Sequence, residues 1–343
     1  MMRCRITGTG SYLPPRVVQN EEVGRLAGVE PRRIEKLFNI RERHWVRRID
    51  APDPAEGQRC SDLATQAARR AIQRADVDPA SIDTVIVAST TPDVVLPSLD
   101  YFVSSKLQLR CNVGIAIQAP CTGLFRAALV AEALMTAGRS KVALIVGAEA
   151  ISPFFRFEAG IPEDQRLNTV LFADGAGAIV VEREEGEGPG IEGVTVCTTG
   201  EPVPPGIVFT GMLSSRPPTA ERFAAMDYFG YHDFGTVLAR GRELTRQAAK
   251  AVLEATHTTY DDYKFVLTHQ ATGNLRKIGA GIGLPPEKMP VNIDRVGNTV
   301  SASILILLDE LNCTGKLERG DRLLLVTAES SSWSYGGMSV TWG

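Results

Sequence analysis

One series of elements occurs twice in this chain of 343 residues, and a repeat on that scale restricts the fold more than any single motif. In the first half, the turn-rich residues 76–83 lead into a β-branched run at 84–91. In the second half, residues 258–263 lead into a similar run at 264–271. A glycine-punctuated stretch, 113–121, then opens an apolar helix from about Thr122 to Ala137 that stops at Gly138; its counterpart runs from about Thr299 to Leu311 after Arg295-Val-Gly-Asn298. Each helix is followed by a strand, 142–149 or 323–329, and then by a glycine-led closing strand, 174–181 or 335–342. The spacings agree: Thr90 to Cys121 is 31 positions, and His269 to Asn298 is 29. Strands that read as continuous Val, Ile and Leu runs between helices belong to sheets covered on both faces. The expectation is an α/β protein of two similar halves, 1–183 and 184–343. The Pro/Gly/acidic segments 182–190 and 201–205 are the linker candidates.

Composition removes several function classes. With 44% hydrophobic residues and a net charge of −3, the chain is globular and has no field suited to nucleic acid or a membrane surface. Its apolar runs, about five residues long, fall far short of the roughly 20 that span a bilayer, and no export signal opens it. The six cysteines form no disulfide framework and no zinc pattern. A cytoplasmic protein with reduced thiols, no metal and no bound cofactor is expected. There is no G-x-S-x-G elbow, no phosphate loop and no H-E-x-x-H.

Three residues fall at strand or helix ends that a pseudo-twofold axis would bring together: Cys121, His269 and Asn298. Cys121 precedes a helix, where the dipole favours thiolate, and Thr-Gly follows it. His269 ends an apolar strand, and Asn298 opens the second apolar helix. Each also has a structural reading: an inert buried thiol, a satisfied core histidine and a helix N-cap. His44, His232 and His257 lie in arginine-rich, polar or aromatic segments without comparable placement.

Gln118-Ala-Pro-Cys121-Thr-Gly, His269-Gln-Ala and Gly297-Asn298-Thr followed by Ser-Ala-Ser resemble the Cys-His-Asn triad of the β-ketoacyl-acyl-carrier-protein synthase III family, in the thiolase superfamily. Gly8-Thr-Gly-Ser-Tyr-Leu-Pro, Ile40-Arg-Glu-Arg, Phe172-Ala-Asp-Gly-Ala-Gly-Ala and Tyr335-Gly-Gly carry the resemblance from about residue 5 to the C-terminus. It implies a thiolase fold of two αβαβα halves in five layers, a homodimer, and substrates carried as phosphopantetheine or CoA thioesters. It also implies Cys121 as the acylated nucleophile, an oxyanion hole from the backbone of Cys121 and Ser331, and His269 and Asn298 stabilising a carbanion.

Departures from the family's pattern refine the expectation. Where CoA-using members place a tryptophan and an arginine, Arg33 and Leu37 stand at about those positions. Residues 31–48 instead carry seven basic side chains against two acidic ones, which would steer an acidic acyl carrier protein unless they are paired internally. Arg33, Lys36, Arg276 and Lys277 are therefore carrier-contact candidates, and Thr272 or Asn274 the pantetheine contact. Leu96 replaces a larger aromatic at a dimer-floored acyl pocket, which implies a primer longer than acetyl or ordinary interface packing. Ser330-Ser331-Ser332 replaces a glycine-rich segment. The expected function is carbon–carbon bond formation between carrier-protein thioesters in polyketide or other secondary metabolism, one example of which joins two chains into an α-pyrone. The alternatives are acyl transfer to a hydroxyl or amine, and housekeeping fatty-acid initiation from acyl-CoA.

Overall fold

A computed structural model describes residues 2–48, 57–157, 160–209, 217–224 and 231–343. Among the described residues, eleven strands form two sheets and a ribbon. They are β1 (Met2–Tyr12), β2 (Val17–Gln19), β3 (Glu42–His44), β4 (Thr84–Ala88), β5 (Val113–Ile117), β6 (Val142–Glu149), β7 (Gly175–Glu185), β8 (Gly190–Thr198), β9 (Phe265–Thr268), β10 (Arg322–Glu329) and β11 (Ser334–Thr341). The first sheet has the order β1-β7-β6-β4-β5 and the second β8-β11-β10-β9, while β2 and β3 pair alone. Parallel and antiparallel pairings correspond: β4 runs parallel to β6 as β9 does to β10, and β7 is antiparallel to β6 as β11 is to β10. The sheets are thus one plan used twice. Among the described residues the second sheet has no counterpart of β5.

The linker at 182–190 is shorter than the sequence implies. β7 continues to Glu185 and β8 begins at Gly190, so only the turn at 186–189 separates the two plans. Residues 142–149 form a strand buried at all eight positions, as a continuous apolar run between helices requires.

Helices complete the layers. The helix Gly123–Thr136 and the helix Ser303–Cys313 pack between the two sheets, touching strands of both; Cys60–Ala75 covers the outer face of the first sheet and Phe234–Thr256 that of the second. These are the five layers implied by the thiolase resemblance. The largest apolar cluster runs through the middle, joining Leu124, Phe125 and Ala128 to Leu305, Leu308, Leu323 and Leu325. A buried polar knot fixes the Ser303–Cys313 helix to the first sheet: Asp309 accepts from Thr9 Oγ1 and Ser11 Oγ, each at 2.6 Å, and pairs with Arg74. Burial strengthens such fully satisfied bonds, so the helix has one seating.

The second apolar helix begins differently from the sequence expectation. Residues Val300–Ala302 form a 3-10 turn, and the α-helix starts only at Ser303. Val300 has φ +48°, a left-handed conformation that a β-branched side chain adopts only under strain.

Candidate active site

Cys121 lies at the mouth of the Gly123–Thr136 helix, and its side chain packs against the apolar cluster of Ile151, Phe155, Phe172 and Val300. Burial pushes its thiol well above the ordinary cysteine range. The carboxylates of Glu329 and Glu149 push the same way, and only its own backbone N–H opposes them. This corrects the expectation of a dipole-generated thiolate. A helix dipole supplies about 0.3–1 kcal/mol at such a place, whereas burial shifts a titration by up to 3–5 units. Cys121 at rest is held as a thiol.

His269 follows β9, and burial lowers its imidazole to about 4, with Glu329 acting in the opposite direction. It is therefore neutral at pH 7. The residue after it is anchored: Gln270 N–H donates to Ser303 Oγ at 2.8 Å, and Gln270 Oε1 accepts from Asn292 N–H at 3.0 Å. Those bonds set His269 against the start of the Ser303–Cys313 helix.

Asn298 is 4% exposed and is pinned by backbone bonds into the first half. Its N–H reaches Leu171 O at 3.1 Å, and its carbonyl accepts from Ala173 N–H at 2.9 Å. Gly297 before it has φ +78°, and a Cβ there would meet Ala173 Cβ at 2.6 Å, so glycine is required. Asn298 Oδ1 accepts from Val300 N–H at 3.0 Å. The helix N-cap reading does not hold, since Thr299 precedes the 3-10 turn and Ala302 caps the α-helix; the Asn298 oxygen instead closes a local turn, and among the described residues no acceptor meets the side-chain NH2.

The three residues are linked through shared neighbours. The charge of Glu329 reaches both Cys121 and His269, and Cys121 shares a cluster with Val300, two residues from Asn298. Gly147, in β6, tightens the arrangement, since a Cβ there would stand 2.4 Å from Ser301 O.

Glu329 and Glu149 were not singled out from the sequence. They end β10 and β6, the equivalent central strands, and the repeated Ala-Glu at 148–149 and 328–329 was the available signal. Glu149 accepts from Thr90 N–H at 3.1 Å, Thr90 Oγ1 at 2.9 Å and Thr91 Oγ1 at 2.7 Å, and burial raises its carboxyl. His232 was also passed over as a loop residue. It is buried, its ring stacked 3.7 Å from Phe234 with Nδ1 2.6 Å from Asn168 Oδ1, and burial lowers it to about 4.

The rim residues divide. The helix Pro31–Phe38 is stitched to the segment after His269: Gly273 N–H donates to Phe38 O at 2.6 Å and Asn274 Nδ2 to Leu37 O at 3.4 Å. Lys36, Arg33, Thr272, Asn274, Arg276 and Lys277 therefore stand on two adjoining segments. Glu35, Asn39, Arg41, Gly273, Arg276, Val291 and Asp294 line a surface cleft there. The continuous basic patch is not found. Arg43 is wholly buried, donating to Val18 O and Val170 O and lowered to about 10 by burial. Arg33 pairs with Glu163, and Arg41 with Asp294. Ser331 Oγ donates to Glu329 at 3.0 Å, and Leu96 is 82% exposed beside Val95. Among the described residues no helix is long and apolar enough to cross a membrane, and no His/Cys/Asp/Glu group is arranged to hold a metal ion.

Comparison with known proteins places this arrangement. The profile of 3-oxoacyl-[acyl-carrier-protein (ACP)] synthase III matches residues 115–200, and that of its C-terminal part matches 253–342. A β-ketoacyl-[acyl-carrier-protein] synthase III of Rhizobium meliloti (strain 1021) is 32% identical over the full length of both chains. The solved synthase III of Thermus thermophilus is 28% identical, with TM-score 0.82 and 99% of each chain covered. The priming β-ketosynthase of the R1128 polyketide pathway is 26% identical, with TM-score 0.80, covering 99% of this chain and 96% of that one. Fold and relatives together define a thiolase-fold condensing enzyme. More narrowly, the chain belongs to the β-ketoacyl-[acyl-carrier-protein] synthase III family.

Proposed function

We propose that this protein loads an acyl group onto Cys121 and condenses it with a malonyl-type thioester on an acyl carrier protein, in polyketide or related secondary metabolism. The observation that carries the reading is that one buried carboxylate, Glu329, acts on both Cys121 and His269, while Cys121 packs against the apolar cluster that includes Val300, two residues from Asn298. In the first stage Cys121 sulfur attacks the donor carbonyl. The departing pantetheine thiolate takes up the proton that the cysteine gives up. Backbone N–H groups of Cys121 and Ser331 hold the tetrahedral oxyanion.

In the second stage decarboxylation of the malonyl-type group leaves an enolate, whose oxygen accepts from His269 Nε2 and the Asn298 amide. Its carbon attacks the acyl-cysteine, forming the new carbon–carbon bond and releasing the sulfur. A histidine held near 4 is a poor base but remains a neutral donor, which favours the decarboxylative route over proton abstraction from a β-ketoacyl substrate or an alcohol.

The halves 1–183 and 184–343 act as one unit in this scheme, and two chains associate through the face carrying Leu96. Intact-mass measurement after incubation with acylated carrier protein tests the first stage. Carbon dioxide release and product mass with malonyl carrier protein test the second. An acyl adduct absent from Cys121, or transfer to a hydroxyl acceptor without carbon dioxide, would overturn the reading.

A further inference from the structure

Glu329 occupies an unusual position for a charge. It is 3% exposed, ends β10 and is a carboxylate whose charge acts on both Cys121 and His269. Both of its oxygens are fully engaged. Oε2 accepts from Thr122 N–H at 3.0 Å and Thr122 Oγ1 at 2.5 Å. Oε1 accepts from Ser331 Oγ at 3.0 Å and Ser332 Oγ at 2.6 Å. A carboxylate offers about four acceptor sites, so these four donors leave none for a substrate proton. A base is excluded on that ground, and a scaffold is not.

The network extends to a cation. Arg126 Nε donates to Thr122 Oγ1 at 2.9 Å, and Arg126 Nη2 donates to Ser334 Oγ at 3.5 Å, while Ser332 and Ser334 share a bond at 2.8 Å. The charge is thus answered one hydrogen bond away, and the carboxylate joins two segments 207 residues apart in sequence. One segment begins immediately after Cys121. The other carries Ser331.

We propose that Glu329 is a positioning residue: its carboxylate clamps the turn after Cys121 to the Ser331–Ser332 turn and so fixes the geometry in which Cys121 is acylated. The inference rests on the reading of Cys121 as nucleophile. It also entails a conflict, because the clamp places negative charge beside a sulfur that must lose a proton. Neutralising the clamp should therefore ease ionisation of the sulfur while disordering its acylation, two effects of opposite sign.

The test compares the full-length wild type with Glu329→Gln. Iodoacetamide alkylation of Cys121 at pH 7.5, located by peptide mass, should quicken by roughly 3-fold to 10-fold as the like charge is removed. Loading from octanoyl carrier protein should slow by roughly 10-fold to 100-fold as the oxyanion donors lose their placement. Unchanged loading overturns the clamp. So does a parallel fall in both rates with a lowered Tm, which would mark a merely structural role. If Glu329→Gln does not fold, Thr122→Val and Ser332→Ala each remove one bond to the carboxylate, and loading at the wild-type rate in both overturns the proposal. A wild type that never loads octanoyl at Cys121 counts against the nucleophile reading instead. The alkylation arm, which needs no acyl donor, then decides the clamp, an unchanged rate in Glu329→Gln refuting it.

Discussion

Asn298 turns its side-chain oxygen back onto the N–H of Val300 at 3.0 Å, which orients the amide with its NH2 outward from that bond. The strained φ of +48° at Val300 is held in part by this contact. The backbone thus specifies the oxygen as an acceptor, and the proposed function adds a second duty for the NH2 as a donor to substrate.

Asn298→Asp separates those duties. It keeps an acceptor for Val300 and removes the donor, so Cys121 should still load while condensation falls by about 10²-fold to 10³-fold, the loss typical of a missing oxyanion donor. Intact mass reports the first step and chromatography of the product the second. Equal losses in both would remove Asn298 from the carbanion stage.

Cys121 should titrate late. Burial with Glu329 and Glu149 raises its thiol, so the thiolate fraction at pH 7 is small and grows about tenfold per pH unit. Alkylation of Cys121 should still be accelerating above pH 9. A plateau near pH 7 would indicate a pre-formed thiolate. On the acid side, His269 near 4 is neutral throughout the ordinary range, so condensation by enzyme already acylated on Cys121 should show no break near pH 6.5.

His232 links pH to stability. Its folded value of about 4 lies below the ordinary 6.5, so the folded state resists protonation. The stability this contributes is complete above pH 6.5 and is lost as pH falls toward 4. At about 1.36 kcal/mol per pH unit over about 2.5 pH units the loss amounts to no more than about 3.4 kcal/mol. Thermal unfolding of wild type and His232→Gln at pH 7.5 and pH 5 checks this. The wild type should lose more Tm on acidification than the variant, and identical losses would contradict the assignment.

Val95 and Leu96 are 72% and 82% exposed, and Tyr101 nearby is 56% exposed. Under the proposed association of two chains, these exposed apolar side chains form the contact surface. Leu96→Asp should shift a dimeric elution volume toward that of a monomer in light-scattering chromatography. A monomeric wild type would refute the dimer.

Much of the architecture was legible because it is written in periodicity. The strand 142–149 and the paired helices appear wherever apolar runs alternate with glycine and turn residues, and the repeat supplied the correspondence of the sheets. The site was legible in part. Cys121, His269 and Asn298 stand at element ends that a repeat can align, but their charge state depends on neighbours from other segments. Glu329 lies 208 positions from Cys121, and no local pattern reveals that burial, reinforced by this carboxylate, raises the thiol. The basic run at 31–48 misled for the same reason. Arg43 points inward to Val18 O and Val170 O, which only the folded chain brings near.

The Ser303–Cys313 helix has almost no wet side, with every residue from Ser303 to Asp309 buried between sheets. A segment enclosed in this way has little freedom to drift, since each methyl group added or lost there disturbs two sheets at once. Diversification of substrate choice among chains built like this one should therefore accumulate at the solvent-facing rim, while the sandwiched helix keeps its volume and shape.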